Sequence, residues 1–131
     1  MTLPPYAHLL GIRIADEADG ELRLILPFSD DVMGRPGYLH GGAIAGLLEL
    51  TAFSTLRKAI GEDAVAMKPI TVTVDYMRGG IQQDTYCEAV IERLGRRIAN
   101  VEVFAGQKDR DTPIASARLN FMLDRPQRHP A

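Results

Sequence analysis

The chain has few of the residues that carry redox, metal or disulfide chemistry. Cys87 is its one cysteine in 131 residues, which excludes an internal disulfide and a cysteine-based zinc site. The three histidines, His8, His40 and His129, lie far apart with no metal-ligand spacing. There is neither a glycine-rich dinucleotide fingerprint nor a phosphate-binding loop. A basic arm is missing too. Lys+Arg number 15 against 17 Asp+Glu, a net charge of −2, and the pI is about 5.9, so nothing draws nucleic acid electrostatically. The start, Met1-Thr2-Leu3-Pro4-Pro5-Tyr6, lacks the basic residues and apolar run of a signal peptide. The most apolar segment is shorter than the roughly 20 residues that span a bilayer. These absences lead to the expectation of one soluble cytoplasmic domain over residues 1–131, with no metal, no cofactor, and no nucleic-acid or membrane partner. With 46% hydrophobic residues, the chain has enough for a real core.

One segment stands out in what remains. From Gly41 to Leu56 the only ionisable side chain is Glu49. A carboxylate alone in an apolar helix costs free energy unless something uses or pairs it. The same helix opens on His40-Gly41-Gly42, where backbone N–H groups at a helix start can receive an oxyanion. A carboxylate and an anion-binding turn in one segment suggest chemistry at a carbonyl.

Hydrophobic periodicity places this segment in a fold. Pro4 to Leu10 suits a short helix that Gly11 ends. Ile12–Ile14 and Glu21–Leu26 read as strands, with Asp19-Gly20 as a hairpin turn. Pro27 to Gly37 is a loop. The helix runs from about Gly41 to Ile60, with Arg57-Lys58 in its last turn and Gly61 just beyond. It is apolar almost all round, so burial on most faces is expected. Alternating apolar residues then predict strands at Ile70–Tyr76, around Cys87, Ala89 and Ile91, at Ile98–Phe104 after a turn at Gly95, and at Ala115–Leu123. The tail, Asp124 to Ala131, is expected to be disordered. A hairpin, one long helix and about four antiparallel strands make an α+β domain.

The His40-Gly41-Gly42 turn, the acid nine positions after the histidine, and the Thr-rich strand ending Asp75-Tyr76-Met77-Arg78 resemble the hotdog-fold acyl-CoA thioesterases of the phenylacetate-degradation type. The likeness covers roughly Leu9 to Leu123. It implies a hotdog fold, a curved antiparallel β-sheet wrapped around one long buried helix. It also implies homodimers joined edge to edge, commonly paired into tetramers. The activity implied is hydrolysis of a CoA thioester without metal or cofactor, coenzyme A entering only as part of the substrate. Two positions depart from the family's pattern. Gly34 stands where Asn is frequent, and Pro69 where Ser or Thr is frequent, with Thr71 and Thr73 nearby.

Attack on a thioester carbonyl makes an oxyanion, which a helix-start amide stabilises without moving. The Gly41 N–H is the first candidate and Gly42 the second. Glu49 acts either as general base for water or as nucleophile through a mixed anhydride. The other reading of Glu49 is a buried carboxylate paired with a Lys or Arg from elsewhere. Gly41 and Glu49 are about 12 Å apart along one helix, so one carbonyl cannot touch both from the same chain, and a site spanning two chains is expected. His40 is expected to position or brace rather than to act as general acid. Arg78-Gly79-Gly80 and Arg96-Arg97 are candidates for substrate phosphates, and Lys68 is a weaker one. Met33 and Tyr38 either line an acyl pocket or simply pack. Cys87 is expected to be a buried hydrophobe, and Thr51 and Ser54 show no nucleophile-elbow pattern.

Two rival functions keep the fold. One is a non-catalytic acyl-CoA-binding module, supported by Gly34 and Pro69. The other is a hydroxyacyl-thioester dehydratase, which the spacing of His40 and Glu49 disfavours.

Overall fold

The computed structural model describes residues 2–17, 21–61, 64–109 and 111–126. The elements in chain order are α1 (Pro5–Leu10), β1 (Arg13–Asp16), β2 (Arg23–Leu26), a 3₁₀ turn (Asp30–Val32), α2 (Gly41–Ile60), β3 (Ala66–Tyr76), β4 (Thr85–Leu94), β5 (Ile98–Gly106) and β6 (Ala115–Asp124). The six strands form one sheet in the order β1-β2-β4-β5-β6-β3, and every pairing is antiparallel. Helix α2 touches five of the strands, β2 through β6. A straight helix reaches that many neighbours only if the sheet curves around it, which is the hotdog arrangement.

Period-two alternation decides which face meets the helix. Ala99, Val101, Val103 and Ala105 of β5, with Ala117, Leu119 and Phe121 of β6, point at α2 and are buried. The alanines let the helix sit close to the sheet. Leu47, Leu48 and Leu56 of α2 are fully buried against this surface. Each contributes about 1.5–3 kcal/mol of transfer free energy. The helix ends where the sequence predicts, with the Gly61 N–H bonded to the Arg57 carbonyl at 2.9 Å.

The structure differs from the sequence reading in several places. The strand after the helix begins at Ala66, four residues before Ile70, and so contains Pro69. A proline cannot donate to a ladder, and this one sits on an edge strand beside a register shift between Pro69 and Thr71. The hairpin is confirmed by the pairing of β1 with β2, but the Asp19-Gly20 turn lies outside the described residues. Most of the expected disordered tail lies outside them too. Its first part is ordered: Asp124 ends β6, and the Arg125 side chain donates to the Arg96 carbonyl. Helix α2 is not covered all round, since Gly42 and Glu49 are exposed and Ala45 is half-buried.

Candidate active site

The site is built at the start of α2. The first turn of a helix has N–H groups with no partner inside the helix. Here the Gly42 N–H donates to His40 Nδ1 at 2.8 Å. The Ala43 and Ile44 N–H groups both donate to the His40 carbonyl, at 3.0 and 3.2 Å. The Gly41 N–H has no acceptor among the described residues. Of the two candidate amides, Gly41 is therefore open, while Gly42 is occupied by the histidine ring. Because Nδ1 accepts, a neutral His40 ring carries its proton on Nε2. The ring is the helix's N-cap.

Two further contacts fix this turn. The Tyr76 hydroxyl, at the end of β3, donates to the Gly41 carbonyl at 2.9 Å, and its ring lies against the Gly41 backbone. Behind the turn, the His40 N–H donates to the Val32 carbonyl at 2.8 Å. Gly34 packs against His40 so closely that a Cβ there would lie 3.0 Å from the His40 Cα. A side chain at position 34 would push on the histidine backbone, so the frequent Asn of the family has no room here without a shift.

A solvent-open cleft of about 310 Å³ lies in front of Gly41. Tyr76, Arg78 and Gly79 line it from the β3 end, and Arg35 and Tyr38 line it from the loop before α2. Met33, the other loop residue considered, pairs with Leu39 in a small bridge instead. The Gln107 side chain holds the segment after Gly80 in place. Its amide nitrogen donates to the Ile81 carbonyl at 2.9 Å, and its oxygen accepts from the Ile81 N–H at 3.0 Å. Nothing in the sequence marks Gln107 for this role, because glutamine at a strand end is ordinary surface chemistry.

Glu49 does not reach this cleft from its own chain. It is exposed on the uncovered stripe of α2, and no hydrogen bond or ion pair engages it among the described residues. Within its own chain, Glu49 is therefore neither buried nor paired among the described residues. Arg96 and Arg97 are also remote. Their turn adjoins Met122–Asp124, whereas Arg78 lies beside Ile114 at the other end of the sheet. The nine residues of β5 between these ends span roughly 30 Å. Lys68 is exposed on β3 away from the cleft. Thr51 is committed to its own helix through the Leu47 carbonyl at 2.7 Å. Cys87 is buried, and its thiol is pushed up to about 12, mainly by burial, with Thr51 opposing and Glu88 adding to the rise. It is no nucleophile at neutral pH. A larger hollow of about 580 Å³ lies along β4 near Arg23, Tyr86 and Phe104, and it holds none of the candidate residues. Among the described residues no group of His, Cys, Asp or Glu could hold a metal ion. None of the described helices is long and apolar enough to cross a membrane.

A curved antiparallel sheet around one helix, with an open amide at the helix start, defines a hotdog-fold protein. The chain belongs to the thioesterase superfamily, whose family model matches residues 36–114. A Chromobacterium violaceum protein of solved structure is 37% identical, with a TM-score of 0.76 over 92% of this chain and 83% of that one. A Ralstonia eutropha protein, described as related to phenylacetic acid degradation and provisionally as a thioesterase, is 26% identical, with a TM-score of 0.75 over 93% and 92% of the two chains. A Halobacterium salinarum protein provisionally named an esterase is 28% identical over 98 residues, 72% of this chain. That match spans 64% of the archaeal protein's length.

Proposed function

We propose that the protein is an acyl-CoA thioesterase. The Gly41 N–H receives the oxyanion, and Glu49 supplies the base or nucleophile. The observation that carries this reading is the pair of uncommitted groups on α2. Gly41 has the one first-turn amide without an acceptor, and Glu49 is an exposed carboxylate without a partner, both among the described residues. About 12 Å of helix separates them, so the reaction joins Gly41 of one protomer to Glu49 of the partner subunit. Strand β3 supports such a dimer. It is an eleven-residue edge strand, with Ile70 and Val72 exposed, and an open strand edge of that length is a template for pairing with a second chain. Antiparallel pairing of two β3 strands would also bring the partner's β4–β5 turn to the cleft end, giving Arg96 and Arg97 a route to the substrate. A dimer of dimers is the larger assembly expected. His40 positions the turn, Gly42 shapes the backbone approach, and Arg78 and Gly79 border the substrate. No cofactor is required, and a cytoplasmic location fits the chemistry.

The test is thiol release from a panel of aryl- and alkyl-CoA esters by wild type, Glu49→Ala and Glu49→Gln, with sedimentation to follow the dimer. Turnover that falls about a hundredfold or more in both variants is the expected result. Wild type that binds acyl-CoA without turnover would instead establish the binding-module reading. Equal turnover in all three proteins would remove Glu49 from the mechanism.

A further inference from the structure

We propose that Arg35, Tyr38 and Arg78 form an anion subsite beside the Gly41 amide, which takes a phosphate or carboxylate group of the substrate. The inference rests on the reading of this cleft as a substrate site and adds the chemistry of one part of it. Arg35 and Tyr38 come from the loop before α2 and Arg78 from the segment after β3, and all three line the same cleft. No aspartate or glutamate lines it. Among the described residues neither guanidinium has a carboxylate partner, and the Tyr38 hydroxyl has no hydrogen-bond partner. The acid nearest Arg78 in sequence, Asp75, faces Arg118 at 3.9 Å instead. The cleft's lining side chains thus carry no negative charge, and two of them carry full positive charge. A neutral or cationic group would leave those charges unanswered, whereas an anionic oxygen group satisfies them through charge-assisted bonds.

The subsite is also held in shape. The Arg35 guanidinium stacks on the Tyr38 ring, 4.3 Å from its centroid. The Cδ1–Cε1 edge of that ring packs against Gly79, where a Cβ would come within 2.7 Å of both carbons. The Tyr38 N–H donates to the Arg35 carbonyl at 3.0 Å, and its carbonyl accepts from the Gly34 N–H at 2.9 Å. An arginine waving freely in solvent loses side-chain entropy on binding. One already stacked on a fixed ring loses less, which favours a planar, bidentate contact. One face of Tyr38 carries Arg35 and one edge meets Gly79, and its hydroxyl has no partner among the described residues.

The test uses calorimetric binding of coenzyme A and of pantetheine, which lacks the phosphates, to wild type, Arg35→Ala, Arg35→Lys and Arg78→Ala. Turnover of glutaryl-CoA is compared with that of pentanoyl-CoA on the same proteins. If a phosphate fills the subsite, coenzyme A affinity falls about tenfold in each alanine variant, the scale of one charged hydrogen bond. Pantetheine binding does not change, and Arg35→Lys recovers part of the loss. If an acyl carboxylate fills it, coenzyme A affinity is unaltered, and the preference for the glutaryl over the pentanoyl ester falls about tenfold. Variants that match wild type in both arms overturn the subsite. Arg35-dependent binding of coenzyme A with no thiol release by wild type would sink hydrolysis and leave the subsite standing. Hydrolysis that is indifferent to Arg35 and Arg78 would do the reverse.

Discussion

The hydroxyl of Tyr76 donates to the carbonyl of Gly41 at 2.9 Å. That bond ties the last residue of β3 to the first residue of α2, so the edge strand and the candidate oxyanion site are mechanically one unit. Tyr76→Phe keeps the ring against Gly41 and deletes only this bond. Because Tyr76 is half exposed, the stability cost is expected to be about 1 kcal/mol or less, read from urea denaturation. A looser first turn lowers kcat more than it raises KM, since the Gly41 amide acts chiefly on the transition state. A Tyr76→Phe enzyme with wild-type kcat would show that the helix start needs no brace from β3.

The His40 cap gives a second expectation. Removing the imidazole in His40→Ala leaves the Gly42 N–H without its acceptor, at a cost of about 0.5–2 kcal/mol. His40→Asn supplies a short oxygen acceptor at the same position and should recover most of that stability. If stability returns in His40→Asn while turnover does not, the ring's Nε2–H has a role in the reaction beyond the cap. Joint recovery would make His40 a bracing residue alone.

Cys87 sets a pH-dependent term in stability. Burial raises its thiol from 9.0 to about 12, so between these values the unfolded chain loses the proton while the folded chain keeps it. The folded state then binds more protons, and stability falls as pH rises through that window. The thiol's contribution is fully present below pH 9. Wild type should therefore lose ground against Cys87→Ala between pH 9 and 11 in urea midpoints. Native protein at pH 8 should be inert to thiol reagents until it unfolds. Rapid labelling of the folded protein would contradict the buried placement of Cys87.

Much of this fold was legible because its elements obey simple periods. The alternation in β5 and β6 and the apolar helix with Arg57, Lys58 and Gly61 at its end identify the layers without reference to structure. The His40-Gly41-Gly42 turn was legible for a different reason: glycines at a helix start have few purposes other than a close backbone approach. The start of β3 was missed because Lys68-Pro69 reads as a strand breaker, and only its place at the sheet edge makes the proline harmless. The exposure of Glu49 was missed because an apolar helix gives no sign of which stripe its own sheet leaves uncovered. Nor could the loss of Gly42 as a donor be read, since it depends on the rotamer of His40. The setting of Arg35 depends on the nearby Tyr38 ring, which itself packs against Gly79 in a segment distant in sequence.

The contact between Tyr38 and Gly79 gives the sharpest structural prediction. A Cβ in Gly79→Ala would meet Tyr38 Cδ1 and Cε1 at 2.7 Å, a distance real side chains do not tolerate, so the ring must leave its seat. Once it leaves, the Arg35 stack goes with it. Gly79→Ala should therefore weaken an Arg35-dependent ligand about as much as Tyr38→Ala does. The double variant should be no worse than either single one, because both remove the same support. A double-mutant cycle measures this directly, with non-additivity expected in the range of about 0.5–3 kcal/mol for residues in contact. Circular dichroism and a thermal melt would separate local displacement from unfolding, since Tyr38 is partly exposed and Gly79 lies in a surface segment. Strictly additive losses would mean that the ring finds another resting place over the added methyl group. The orientation of Arg35 would then owe nothing to the missing side chain at position 79.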